Sequence, residues 1–173
     1  MTGYNKNKVA VVIVPYDATW QETFGTEKKR LERALASHAV DIQHTGSTSV
    51  VGLCAKPLID IVVSVETPEE VEPVAVALVD AGYNINGLTT ENAPTRAGSV
   101  SGFYNDNEGN TIFHLHILVC ATEQYFDHIC IRDYFRAHPK AQRCGKANQQ
   151  NVSQWQSPRF ALRRLATLVL FKK

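Results

Sequence analysis

Residues 44–63 read HTGSTSVVGLCAKPLIDIVV: a glycine-serine turn, a short loop, and then a strand interrupted by a single acid. Gly46 supplies the backbone freedom of a tight turn, and Ser47, Thr48 and Ser49 follow it with three hydroxyls and their backbone N–H groups. Such a concavity suits a phosphate. Lys56, in the loop, could add a point charge to the same anion. From Leu58 to Val65 the chain alternates cleanly, with Asp60, Val62 and Ser64 on one side and Ile59, Ile61, Val63 and Val65 on the other. A carboxylate inside such an apolar strand is costly unless a metal, a cation or water satisfies it, so Asp60 reads as functional.

A second strand with the same property lies downstream. Thr111 to Cys120 places Ile112, His114, His116 and Leu118 on one side and Phe113, Leu115, Ile117 and Val119 on the other. A sheet covered by helices on one face would expose Asp60, His114 and His116 together on its open face. The i, i+2 spacing on a strand lets two imidazoles approach one ion, although hydrogen-bonded histidines are equally compatible with it. His44 either packs beside the turn or joins this cluster.

These residue types point to phosphoryl or nucleotidyl transfer. A carboxylate-bound Mg2+ polarises the phosphate and stabilises departing pyrophosphate, while the turn fixes the triphosphate in line with its acceptor. The bland readings are that Ser47, Thr48 and Ser49 satisfy turn hydrogen bonds, that Lys56 is an ordinary exposed lysine, and that Arg132-Asp133 is a local ion pair.

The remaining elements frame this centre. KVAVVIVP (8–15) reads as a buried strand, with Asp17 as N-cap of a helix burying Trp20, Phe24, Leu31 and Leu35. Lys28, Lys29, Arg30 and Arg33 form its solvated face. Val40 to Gln43 is a short strand. Thr67-Pro68-Glu69-Glu70 is a capping box with proline at the first helical position, and its helix stops at Gly82. Residues 87–102 read as a long loop, a candidate lid. Phe103 to Asn105 and Thr111 to Cys120 form a hairpin through DNEGN, and a helix runs from near Thr122 to before Pro139. Ser157-Pro158 could open a last helix. The expected architecture is α/β (α+β): a mixed sheet with helices mainly on one face.

With 173 residues, one domain suffices. The formal net charge of +1 argues against a polyanion binder, so nucleic acid is not an expected partner. Cys54, Cys120, Cys130 and Cys144 form no CxxC pair and read as reduced thiols, Cys54 and Cys120 as small hydrophobes. No apolar stretch approaches the roughly 18 residues of a membrane span, and the N-terminus lacks a secretory pattern, so a cytoplasmic location is expected without membrane association.

HTGSTSVVGLCAKPLIDIVV resembles the GrpB family, whose hallmark is similar to a histidine followed by GSTxVxGLxAKPxIDI. The resemblance extends to Val14-Pro15-Tyr16-Asp17 with Trp20, to the HLHI strand from His114 to Ile117, and to the RDYxRxHP helix end from Arg132 to Pro139. It covers roughly residues 8 to 145. The resemblance implies a nucleotidyltransferase-like fold, with Gly46 and Ser47 in the nucleotide-binding turn and Asp60 as the metal-binding carboxylate. Related domains occur joined to dephospho-coenzyme A kinase, but this chain has no GxxxxGK[ST] motif, so that activity is not implied. Two departures stand out. The general pattern has a second carboxylate two residues after the first, where this chain has Val62, so two-metal chemistry of the usual kind would need another ligand, for which His114 and His116 are the candidates. The C-terminal part, AQRCGKANQQ onward, also diverges. The expected organisation is therefore a domain over residues 1–145 and a divergent tail over 146–173 carrying one candidate helix.

The leading expectation is a Mg2+-dependent nucleotidyltransferase acting on a nucleoside triphosphate and a small-molecule acceptor. Asp60, His114 and His116 are its catalytic candidates, Gly46, Ser47, Thr48 and Lys56 its phosphate-binding ones, and Asp60, His44, His114 and His116 its metal ligands. The alternatives are a catalytically degenerate nucleotide- or phosphate-binding module and a transition-metal phosphoesterase built on the histidines.

Overall fold

The computed structural model describes residues 12–38, 40–86 and 99–142. The order of elements is α1 (Thr19–Ala34), β1 (Asp41–Thr45), β2 (Ile59–Val65), α2 (Val71–Asp80), β3 (Asn84–Asn86), β4 (Ser99–Asn105), β5 (Thr111–Val119) and α3 (Glu123–Ala137), with a 3-10 turn at Ser47–Ser49. The strands form one mixed sheet in the order β1-β2-β5-β4-β3. β2 and β5 run parallel at its centre, and the other neighbours are antiparallel.

Period-2 alternation decides which face each side chain takes. Ile59, Ile61, Val63 and Val65 of β2 join Phe113, Leu115, Ile117 and Val119 of β5 in the core, beneath Leu31 of α1, Leu35 just after it, and Val71, Val74 and Leu78 of α2. The other face carries Asp60, Val62, His114, His116 and Leu118, with α3 lying against β1 and β5. Two of the three described helices thus share the core face, in line with the alternation.

Local signals explain the helix ends. Asp17 Oδ1 accepts the Thr19 N–H at 2.9 Å and its hydroxyl at 2.7 Å, opening α1. The Glu70 carboxylate accepts the N–H groups of Thr67 and Glu66, each at 2.9 Å, and so closes the capping box ahead of α2. Gly82, at φ +91°, ends that segment in a conformation that glycine adopts without strain. Arg30 is not part of a solvated basic face. Its guanidinium grips the buried Glu27 carboxylate at 2.6 Å, donates to the Ala81 carbonyl, and lies over the rings of Tyr83 and Tyr104. The Tyr83 hydroxyl donates to the same carboxylate at 2.6 Å, so one acid ties α1 to the chain after α2.

Three expectations change. The described part of segment 8–15 forms no ladder: Val14 makes an isolated bridge with Ala55. The chain from Ser99 already pairs as β4, and β3 was not anticipated at all. Cys54 is disulfide-bonded, while Cys120 and Cys130 are free but exposed, so neither Cys54 nor Cys120 is a reduced, buried hydrophobe. Residues 87–98 of the expected lid and the candidate helix after Pro158 lie outside the described residues. No described helix is long and apolar enough to cross a membrane.

Candidate functional site

Register brings the polar residues of the second face together. Asp60 on β2 sits opposite His114 on β5, and Val62 opposite His116. Both histidines therefore emerge on the face of Asp60. His114 Nδ1 lies 3.2 Å from Asp60 Oδ1, and the rings of His114 and His116 are 4.2 Å apart. One ligand atom from each of Asp60, His114 and His116 falls within 4.8 Å of the others, close enough to share a cation. Side-chain exposures of 25% for Asp60 and 37% for His114 leave this edge open to solvent.

The glycine turn abuts the same carboxylate. Gly46 follows Thr45, which pairs with Asp60 across the β1–β2 ladder, and its backbone sits at φ +66°, ψ −173°. A Cβ at Gly46 would lie 2.9 Å from Asp60 Cγ and 3.0 Å from Asp60 Cβ, and would overlap Oδ2. The turn approaches the acid as closely as it does because residue 46 has no side chain. Within the turn, the Ser49 hydroxyl donates to the Gly46 carbonyl at 2.6 Å. Ser47 stays half-buried.

Two expected site residues are not where the site needs them. His44 pairs with Ile61, so it points to the core face, away from Asp60. There it stacks on Phe24 with ring centroids 4.7 Å apart. Burial, reinforced by the nearby charges of Arg136 and Arg132, pushes its pKa down to about 4. Thr48 is fully buried; its hydroxyl donates to the Leu58 carbonyl at 3.2 Å and lies 3.0 Å from His44 Nε2. If Nε2 carries the proton and donates to Thr48, Nδ1 is left as a buried acceptor without a partner among the described residues. His44 is thus removed from the metal set and the Thr48 hydroxyl from the phosphate set, because both are used to hold the turn. Lys56 is exposed in the loop before β2.

Sequence reasoning missed His128. It lies on α3, with its ring centroid 4.5 Å from that of His116, extending the row of imidazoles. Desolvation lowers the pKa of His128, and it lowers that of His116 well below the usual histidine value, with help from His128 and His114. The downward shifts favour the neutral imidazole in both, the form that offers a lone pair to a metal. Arg132 is also more than a local ion pair. It bonds Asp133 at 2.7 Å and reaches across to the Gln43 side chain at 2.7 Å and the His44 carbonyl at 3.2 Å, pinning α3 to β1.

Two cavities among the described residues lie elsewhere. One of about 590 Å³ runs along the outer side of α2 by His38, and one of about 450 Å³ lies between Ser49, Gln21 and Arg136. Neither is lined by Asp60 or the imidazoles, so the site is identified by the chemistry of its converging groups rather than by volume.

Residues 10–155 match the family model described as GrpB protein. The chain is 31% identical over 156 residues to the glutamate-rich protein GrpB of Alkalihalophilus pseudofirmus, covering 89% of this chain and 86% of that protein. It is 32% identical over 138 residues to the UPF0157 protein YqkA of Bacillus subtilis, covering 79% of this chain but 37% of that one, so it spans well under half of YqkA. Among solved structures, the conserved protein GrpB from Enterococcus faecalis superposes with a TM-score of 0.62 at 28% identity, over 75% of this chain and 74% of that one.

Proposed function

The chain belongs to the GrpB family, and from that premise we propose that it is a divalent-metal-dependent nucleotidyltransferase acting on a nucleoside triphosphate and a small-molecule acceptor. The observation that carries this reading is the contact of the Gly46 turn with the Asp60 carboxylate, which makes a phosphate cradle and a metal ligand two walls of one site. Nucleotidyl transfer forms a bond from the acceptor oxygen to the α-phosphorus and breaks the bond to pyrophosphate. The charge that collects on the phosphate oxygens is what the protein must neutralise.

In this reading Ser47 and the turn's N–H groups ahead of Ser49, whose own N–H bonds the Gly46 carbonyl, hold the phosphate, and exposed Lys56 adds charge from the adjoining loop. Asp60 holds the metal, with His114 and His116 as further ligands. His116 flanks the strand position where Val62 replaces an acid. Bound there, a divalent metal would supply the Lewis acidity that stabilises the departing pyrophosphate. Carboxylate and phosphate oxygens alone favour Mg2+, whereas the two imidazoles favour a transition metal.

The test is transfer of label from nucleoside triphosphates to a metabolite pool in the presence of metal. Asp60→Asn is expected to cut transfer by more than ~100-fold, the upper range for losing an outer-shell partner of a metal. Transfer indifferent to that change overturns the assignment. One observation favours a second reading: Val62 is fully buried, so β2 presents a single acid. A binding module without catalysis would take up nucleotide in a calorimeter yet show no turnover.

A further inference from the structure

Resting on the metal reading of the site above, we propose that His128 of α3 is a fourth ligand, making the centre one carboxylate and three imidazoles that takes zinc in preference to magnesium. Zinc favours nitrogen, sulfur or oxygen donors and can expand from four to five ligands, which leaves a position for a phosphate oxygen, whereas magnesium keeps oxygen ligands and several waters. Asp60 comes from β2 and His114 and His116 from β5, and their ligand atoms already converge. The His128 ring stands 4.5 Å from that of His116, nearly the 4.2 Å that separates the two β5 imidazoles. Rotation of the His128 side chain towards the ion completes the set.

The helix that carries His128 gives a second reason. Asp127 is the one buried residue of α3, and its apolar side chains Ile129, Ile131 and Phe135 are half-buried, so apolar burial seats the helix on the sheet only in part. Its visible anchors are polar, above all the Arg132 bonds to β1. A metal bridging α3 to β2 and β5 would fix the helix over the site, coupling metal uptake to the order of one wall.

Two measurements on metal-free, full-chain protein test this: calorimetric titration with Zn2+ alone, and amide hydrogen exchange across residues 123–137. The wild type is expected to bind one Zn2+ per chain more tightly than Mg2+ and to show slowed exchange in α3 on binding. His128→Ala, with its fold verified by circular dichroism, is expected to lose about 10- to 100-fold in zinc affinity and to lose the α3 protection. His38→Ala, on the far side of the molecule, is expected to keep both. Wild-type affinity and protection in His128→Ala overturn the proposal, as does a preference of the wild type for Mg2+. Asp60→Asn separates the two claims. If it abolishes zinc binding while His128→Ala does not, only the fourth ligand is lost; if zinc binding ignores Asp60 as well, the metal reading itself fails.

Discussion

Replacing Gly46 by alanine perturbs the closest approach in the site, and its cost can be worked from two independent sources. The backbone at φ +66°, ψ −173° lies in a region reserved for glycine, where a residue with a side chain costs about 1–3 kcal/mol. The new methyl would also sit 2.9 Å from Asp60 Cγ and 3.0 Å from Asp60 Cβ. Rotation of the Asp60 side chain relieves the first of these contacts but not the second, because the Cβ is fixed by β2. Overpacking of this kind costs about 1–3 kcal/mol more. The sum centres near 4 kcal/mol, or a fall in Tm of about 8–16 °C for a chain of this size. Urea unfolding followed by circular dichroism measures it, with an unchanged slope showing that the unfolding reaction is the same. In a double-mutant cycle, Asp60→Ala removes the carboxylate that the methyl strikes, so about 1–2 kcal/mol of the loss should return as coupling. A cost below about 1 kcal/mol with no coupling would refute the placement of the turn against the acid, since neither strain nor collision would then exist.

Glu27→Ala strands Arg30 and the Tyr83 hydroxyl in a largely buried network. The expected loss is about 3 kcal/mol, the low end for breaking a buried pair, because Arg30 is 37% exposed and regains water; denaturant melts measure it. His44, held in the fold at about 4 against an ordinary value of 6.5, binds its proton more readily in the unfolded chain. Stability therefore rises with pH between about 4 and 6.5 and flattens outside that window, a contribution of about 3 kcal/mol. His44→Gln should flatten the acid side of a stability-against-pH curve, and an unchanged slope would contradict its burial. Ala121 adopts φ +61° between β5 and α3, so Ala121→Gly should raise stability by about 1 kcal/mol in the same melts.

The parts of this fold that could be read from sequence are those with a strong local signature. β2 and β5 announce themselves by strict alternation, and α2 by its capping box. β3 has three residues and rests on pairing with β4, so nothing local marks it. The apolar run at 8–15 fits the rules for a buried strand, yet strand formation depends on a partner, and among the described residues Val14 of that run makes a single bridge, to Ala55. At the site, Asp60, His114 and His116 were legible because each breaks an apolar pattern at an interior position. The parity that removes His44 was also legible: Ile42 and His44 share a face, and an apolar Ile42 sends both to the core. His128 carried no such signal, since it sits on a different element and meets His116 through helix docking that sequence spacing does not encode.

Linkage between metal and nucleotide reaches the core of the account in one measurement. A non-hydrolysable nucleoside triphosphate is titrated into the protein with and without saturating divalent metal, and the metal is titrated with and without the nucleotide. If Gly46-Ser47 and Asp60 serve one site, each ligand tightens the other by the same factor, as reciprocity requires, and Asp60→Asn erases that factor. Nucleotide affinity that ignores metal in both proteins would mean that the turn and the carboxylate, though adjacent, do not act together.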